Sequence, residues 1–207
     1  MIPDFLRDVP LIGILRGVAR ETAGAAAAAV VRGGITTLEV TLNNEDPLAL
    51  IAELARDLPG VTIGAGTVMS IRDAESALAA GARFIVSPHI DEPLVGFCAA
   101  AGIPVFPGAM TPTEVWRAHA AGATMVKLFP ASELGPAYVR ALRGPLPQID
   151  LLVTGGIDAG NLRAFLDVGA RGAAVGGRLF PRHLPDSDTS EVEREAGRLV
   201  RAYRSRA

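Results

Sequence analysis

Lysine occurs once in this 207-residue chain, at Lys127, whereas arginine occurs nineteen times. A compositional bias toward arginine accounts for the nineteen and sharpens the question of the one. Lys127 lies within Met125-Val126-Lys127-Leu128-Phe129-Pro130. At the two-residue period of a strand, Met125, Lys127 and Phe129 share one face, and Val126 and Leu128 take the other. Burying an ammonium costs free energy, so apolar surroundings lower its pKa and make a neutral amine available near pH 7. A neutral amine attacks a ketone and forms a Schiff base; a guanidinium, which does not deprotonate, does not. The competing reading is a lysine that snorkels or pairs with an acid at a strand end. Glu39, inside Leu38-Glu39-Val40-Thr41-Leu42-Asn43, is also a charged residue in an apolar run. It reads either as a salt-bridge partner or as a general acid/base tuned by burial and by the amine. Together the two suit carbon–carbon chemistry at a ketone, where imine formation and enamine protonation both need a proton carrier.

Strands must hold these residues, and the chain alternates apolar runs with Ala-rich stretches. Strands are expected at Pro10–Leu15, Ile35–Leu42, Val61–Ala65, Arg83–Ser87, Ile103–Phe106, Thr124–Phe129, Ile149–Thr154 and Gly172–Gly176. Helices are expected at Glu21–Arg32, Pro47–Leu58, Ile71–Ala80, Glu92–Ala101, Pro112–Ala121, Pro136–Leu142, Ala159–Val168 and Ser190–Tyr203. Near-continuous apolar runs suit parallel strands covered on both faces. Gly34, Gly81, Gly102, Gly122 and Gly169 each close a helix, as a left-handed cap residue would. Thr111 with Glu114 forms a capping-box pattern, and Asp91 and Asp158 precede two further helices. Pro185–Ser190 reads as the loop into the last helix. Eight alternating units predict an α/β fold, a (β/α)8 TIM barrel with short loops, over residues 1–207 as one domain. The alternative, a doubly wound open sheet, would want a glycine-rich phosphate loop after the first strand, where the chain reads Leu15-Arg16-Gly17-Val18.

Active sites of such barrels lie at the C-terminal strand ends. There the sequence places Arg16, Glu39, Gly64-Ala65-Gly66-Thr67, Ser87-Pro88-His89, Lys127, Thr154-Gly155-Gly156 and Gly176-Gly177. Arg16 and Thr67 are candidates for holding a carboxylate, the first by a two-pronged charged grip, the second by a hydroxyl. Arg16 reads equally as a rim salt bridge. The two glycine pairs follow the seventh and eighth strands, where barrels often bind phosphate through backbone N–H groups. Arg178 either adds charge there or is an ordinary surface residue.

Composition excludes other classes. A formal net charge of −2 gives no basic footprint for nucleic acid. One cysteine, Cys98, rules out an internal disulfide framework and reads as core. His89, His119 and His183 lack ligand spacing, so no metal or other cofactor is expected. His89 could line a pocket; His119 reads as structural, His183 as a loop residue and Trp116 as packing. The apolar runs are too short to span a bilayer, and the N-terminus lacks a signal-peptide core. A cytoplasmic protein with no membrane association is the expectation.

The segment Gly122-Ala-Thr-Met-Val-Lys127-Leu-Phe-Pro-Ala131 resembles the lysine signature of the Schiff-base (class I) aldolases of 2-keto-3-deoxy-6-phospho sugar acids. Gly34-Ile-Thr-Thr-Leu-Glu39-Val-Thr-Leu is similar to that family's general-base signature, and Gly64–Thr67 and Thr154–Gly156 match as well. The resemblance covers nearly the whole chain. It implies an imine at Lys127, proton transfer by Glu39, a carboxylate held by Arg16 and Thr67, and a phosphate held by Gly156, Gly176 and Gly177. The implied reaction is metal-free, reversible cleavage to pyruvate and glyceraldehyde 3-phosphate by a homotrimer.

The chain departs from the pattern at several points. Asn43 stands where the general-base signature often continues to arginine, which resembles the phosphogalactonate branch. Thr154 looks like the phosphogluconate branch, where a hydroxyl meets the sugar C4 hydroxyl. Gly177 replaces a serine common in the phosphate loop, and His89 differs from both branches. The expected substrate is 2-keto-3-deoxy-6-phosphogalactonate, with the gluconate epimer as alternative. A phosphosugar isomerase or synthase using Glu39 as base, and a non-catalytic phosphate-binding barrel, are the more distant readings.

Overall fold

In the computed structural model, which describes residues 2–180 and 189–205, inner and outer side chains of one parallel sheet build two separate apolar layers. The strands are β1 (Leu11–Leu15), β2 (Thr37–Thr41), β3 (Thr62–Gly66), β4 (Ile85–Val86), β5 (Val105–Phe106), β6 (Gly108–Ala109), β7 (Val126–Leu128), β8 (Leu151–Thr154) and β9 (Gly172–Val175). Every pairing is parallel, in the order β5-β4-β3-β2-β1-β9-β8-β7-β6. The two ends of that order, β5 and β6, are consecutive in the chain and separated by Pro107 alone. They are one stave in two pieces, so eight staves form a barrel. Proline has no N–H to give the ladder, which breaks there, while its carbonyl still accepts from the Lys127 N–H at 2.9 Å. The stave thus runs to Ala109, beyond the Phe106 end expected from the sequence.

The helices are α1 (Arg20–Arg32), α2 (Pro47–Asp57), α3 (Ile71–Ala79), α4 (Glu92–Ala100), α5 (Pro112–Ala120), α6 (Ala131–Arg143), α7 (Leu162–Asp167) and α8 (Ser190–Arg204). Outward strand residues such as Leu38, Val126, Leu128 and Val153 pack against them. Inward residues Ile12, Phe84, Phe106, Met125 and Leu152 fill the barrel. Asp4–Leu6 form a short 3-10 helix that adds Leu6 and the Phe5 ring to this inner layer. Phe5 stacks on Phe84 at 5.4 Å, and Phe84 meets Phe106 edge-on at 5.6 Å. Such ring pairs contribute about 0.5–1.5 kcal/mol each beyond area burial.

Local signals acted as their chemistry dictates. The five helix-closing glycines all have left-handed φ, between 69° and 109°. Thr111 and Glu114 form the reciprocal capping box of α5, and Asp91 accepts from the Leu94 N–H at the start of α4. Two helix starts differ from expectation by more than one residue. α6 begins at Ala131, because a first turn forms before Gly135 (φ 74°, ψ 165°) and only then does the stretch from Pro136 follow. α7 begins at Leu162, because Asp158 spends its carboxylate on the Gly160 and Asn161 N–H groups and holds a turn there instead. Trp116, expected to pack, is half exposed, since α5 buries Val115 and Ala118 on its other face. Cys98 is buried as expected, and burial pushes its thiol up to about 11. His183 and most of Pro185–Ser190 lie outside the described residues. No helix among the described residues is long and apolar enough to cross a membrane.

Candidate active site

Lys127 stands on the inner face of β7 between Met125 of the inner layer and the half-exposed Phe129, as the two-residue period required. It is 4% exposed. Its Nζ donates to the Ser87 carbonyl at 3.4 Å and sits 5.4 Å from the Phe129 ring centroid. Burial holds its pKa below the usual lysine range; the Glu39 charge opposes this and the Arg16 charge adds to it. The Ser87 carbonyl is itself aimed by a turn, in which the buried Ser87 hydroxyl donates to the His89 carbonyl at 2.7 Å. Gly108 lets that turn cross the fifth stave: a Cβ there would lie 2.3 Å from the Pro88 oxygen.

Glu39 is 1% exposed, and neither carboxylate oxygen has a hydrogen-bond partner among the described residues. No ion pair joins it to Lys127 within 4 Å, so the simple salt-bridge reading fails. Burial raises its pKa above the usual carboxylate range, against the pull of Lys127 and Arg16. The two shifts run in opposite directions, toward a neutral amine and a neutral acid. Those directions suit a nucleophile and a proton donor. Gly66 makes room for the carboxylate: a Cβ would come within 1.8 Å of Glu39 Oε1. Gly66→Ala should therefore displace this group and lower kcat/KM on the order of 10²-fold, as misplacements of about 1 Å do. An unchanged steady-state rate would show that the carboxylate tolerates the shift.

Above Lys127 opens a cavity of about 840 Å³. Its lining carries two guanidinium cations, Arg16 and Arg178, beside the Lys127 amine, and no carboxylate among the described residues. Arg16 extends over the rim to Thr67 Oγ1 at 3.3 Å. Thr67 holds φ at 58°, a costly conformation for a side chain branched at Cβ. Thr154, 3% exposed, lines the cavity, but its hydroxyl donates to the Ala174 carbonyl at 2.6 Å. Toward a ligand it is left as an acceptor. Gly155, Gly156, Gly176 and Gly177 all border the cavity. Gly156 abuts Ser132, whose Oγ would lie 2.1 Å from an added Cβ. Arg178 is largely exposed and held only loosely, 3.8 Å from Asp158 Oδ2.

Most of the expected site is thus gathered in one place. Glu39 and Thr67 lie outside the cavity lining itself, Glu39 fully buried and Thr67 joined to the site through its contact with Arg16. Asn43 and His89 are not part of it: both are exposed and outside the lining, and His89 contributes a backbone carbonyl beneath it. Four residues escaped the sequence reading in the roles they fill here: Ser87, Gly66, Gly108 and Asn44, whose side chain bonds the Leu15 carbonyl and the Gly17 N–H on either side of Arg16. Nothing local distinguishes Asn44 from its neighbour Asn43. The glycines do announce a close approach, but not to what.

The model of the KDPG and KHG aldolase family matches residues 2–195. This chain belongs to that family. Among its relatives, a probable 2-dehydro-3-deoxy-6-phosphogalactonate aldolase of Rhizobium meliloti is 35% identical over 94% of this chain and 91% of its own length. A 2-dehydro-3-deoxy-phosphogluconate aldolase of Pseudomonas aeruginosa is 36% identical, over 80% and 76%. Among solved structures, a native KDPGal structure superposes with a TM-score of 0.89 at 33% identity, covering 95% of both chains. A KDPG aldolase of Legionella pneumophila, with pyruvate captured as a covalent carbinolamine, superposes at 0.85 with 26% identity, covering 95% and 96%. For a member of this aldolase family, a cation-lined cavity over a buried amine and an unpaired buried acid is a coherent arrangement.

Proposed function

We propose that this protein is a Schiff-base aldolase that reversibly cleaves 2-keto-3-deoxy-6-phosphogalactonate to pyruvate and glyceraldehyde 3-phosphate, working as a homotrimer. The observation that carries the chemistry is the amine of Lys127, buried at the base of the cavity, together with the buried Glu39 whose carboxylate has no hydrogen-bond partner among the described residues. Lys127 Nζ adds to the C2 ketone, and the carbinolamine loses water to give an iminium. Removal of the C4 hydroxyl proton then breaks the C3–C4 bond. Its electron pair moves into the iminium, leaving an enamine and releasing glyceraldehyde 3-phosphate. Protonation of the enamine at C3 and hydrolysis of the imine release pyruvate and restore the amine. Glu39 carries the protons, alternately as acid and base.

Substrate charge fits the lining. Arg16 with Thr67 would hold the carboxylate. The backbone at Gly155, Gly156, Gly176 and Gly177 would hold the phosphate, with Arg178 supplying charge where a serine hydroxyl is lost at Gly177. Thr154 would accept from a sugar hydroxyl. The galactonate epimer is preferred because the phosphogalactonate relative matches over more of both chains. Rates with the two purified epimers, on enzyme whose mass in solution has been determined, test this reading. A rate several times higher on the galactonate epimer by a three-chain particle is expected; equal rates would replace the preference by a dual-substrate enzyme, and a monomer would remove the trimer.

A further inference from the structure

The carboxylate anchor depends on where β1 leaves Arg16, and the backbone pairing stops short of it. The β1–β2 register runs Gly13↔Leu38, Ile14↔Glu39 and Leu15↔Val40, then ends. Beyond that point the second stave turns away, and side chains take over the ladder. Asn44 Oδ1 accepts from the Gly17 N–H at 2.8 Å. Asn44 Nδ2 donates to the Leu15 carbonyl at 2.7 Å and to Thr41 Oγ1 at 3.3 Å. Thr41 Oγ1 in turn donates to the same Leu15 carbonyl at 3.2 Å. A carboxamide holds one acceptor and one donor in a plane, as a peptide unit does. It therefore adds one further rung where backbone is missing.

That rung grips the residues on both sides of Arg16. Gly17, with φ at 65°, turns the chain immediately after it. Arg16 itself is exposed, and the described hydrogen bond of its guanidinium is the 3.3 Å contact to Thr67 Oγ1. A long, exposed arginine fixed only at its tip would lose much rotamer freedom on meeting a ligand. Fixing its main chain beforehand lowers that loss, which is the physical content of preorganisation. Asn44 does not line the cavity, so its effect must pass through its neighbour.

We infer that Asn44, by its grip on Leu15 and Gly17, is a positioning residue that presents Arg16 to the carboxylate of the keto acid. This deepens the reading of Arg16 proposed above and rests on it. The acceptor half of the amide holds the turn at Gly17, and the donor half holds the end of β1. Asn43, one residue earlier and exposed, has no part in the device.

The test is a double-mutant cycle of Asn44→Ala and Arg16→Ala, read two ways. One reading is the pyruvate concentration that half-saturates borohydride trapping on Lys127, followed by mass spectrometry; the other is KM against kcat for cleavage. Asn44→Ala should raise both the half-saturating pyruvate and KM about tenfold while kcat changes less than about twofold, the size expected for a weakened charged hydrogen bond. In the Arg16→Ala background the same substitution should change neither. Should Asn44→Ala fold poorly by thermal melting, Asn44→Asp is read in its place. It keeps an oxygen for the Gly17 N–H, and it should give a smaller rise that again vanishes without Arg16. A fall in kcat at unchanged KM overturns the inference, as does an equal effect in both backgrounds. If Arg16→Ala alone leaves the pyruvate dependence unaltered, the carboxylate role of Arg16 falls, and this inference with it. If Arg16→Ala raises it and neither Asn44 variant does, the anchor stands and only the positioning role is lost.

Discussion

Lys127→Ala and Lys127→Arg should both lose turnover by on the order of 10⁴-fold or more, the scale seen when a covalent nucleophile is removed. The arginine variant is the more informative of the two. It keeps a cation at the cavity floor, so a merely electrostatic role would leave much of the rate intact. Its guanidinium stays protonated and has no lone pair for a carbonyl carbon. Steady-state cleavage assays give the rate. Pyruvate with borohydride, followed by peptide mass spectrometry, should label the wild-type protein at Lys127 and neither variant. Substantial turnover in Lys127→Arg would return the site to the isomerase or synthase reading with Glu39 as base, in which position 127 supplies only positive charge. The burial on which the proposed nucleophilic role rests also limits the pH range. Since desolvation holds its pKa below the ordinary lysine range, the limb of the kcat/KM profile that reports the neutral amine should lie below that range as well.

Glu39→Gln should lower turnover by about 10²- to 10⁴-fold, the usual contribution of a general acid/base, while the folded protein gains stability. Exchange of pyruvate methyl protons for solvent deuterium, followed by NMR, isolates the enamine step and should fall with turnover. Retained exchange would remove Glu39 from the proton path. The stability gain follows from removing an ionisable group: the amide is no better partnered at this site, but it cannot take on the charge whose burial is costly. Leaving such a group buried costs about 1–3 kcal/mol, more when it is charged. Its folded pKa is raised above its unfolded value. Between those two values the folded protein binds more protons than the unfolded chain, so the stability present at low pH is lost as pH rises through the folded pKa. Lys127 has the opposite sign: its folded pKa is lowered, so the unfolded chain binds the extra proton and stability rises with pH across that window. The melting temperature of Glu39→Gln should therefore exceed that of wild type by a margin that grows as pH climbs past the carboxylate range. A lower melting temperature for the variant at neutral pH would mean that Glu39 is satisfied in solution by a partner.

The inward placement of Lys127 and Glu39 was legible because strand side chains alternate faces regardless of what lies across the barrel. Most helix ends were legible for a related reason: a capping residue or a left-handed glycine meets backbone only a few residues away, whereas the starts of α6 and α7 were not, since Gly135 and the turn at Asp158 divide those stretches. The break at Pro107 was half legible. Proline announces a missing donor, but not that the chain resumes pairing with the next stave at Gly108. Asn43 and His89 stand beside strand ends, where the sequence places site residues, yet neither lines the cavity. A shift of one residue past the last rung of a stave decides whether a side chain faces the cavity or solvent, and adjacency in sequence does not fix that turn.

The composition and period of this chain by themselves determined the alternating α/β architecture, the inward face of Lys127 and Glu39, and the single lysine on which the proposed imine rests. Each of these depends on neighbours a few positions apart. Tertiary structure alone decided that Glu39 sits unpaired in the space left by Gly66, that the Thr154 proton is committed to Ala174, and that Asn44 rather than Asn43 holds the rim. These are contacts between staves, and they exist only once closure and register have brought together residues far apart along the chain.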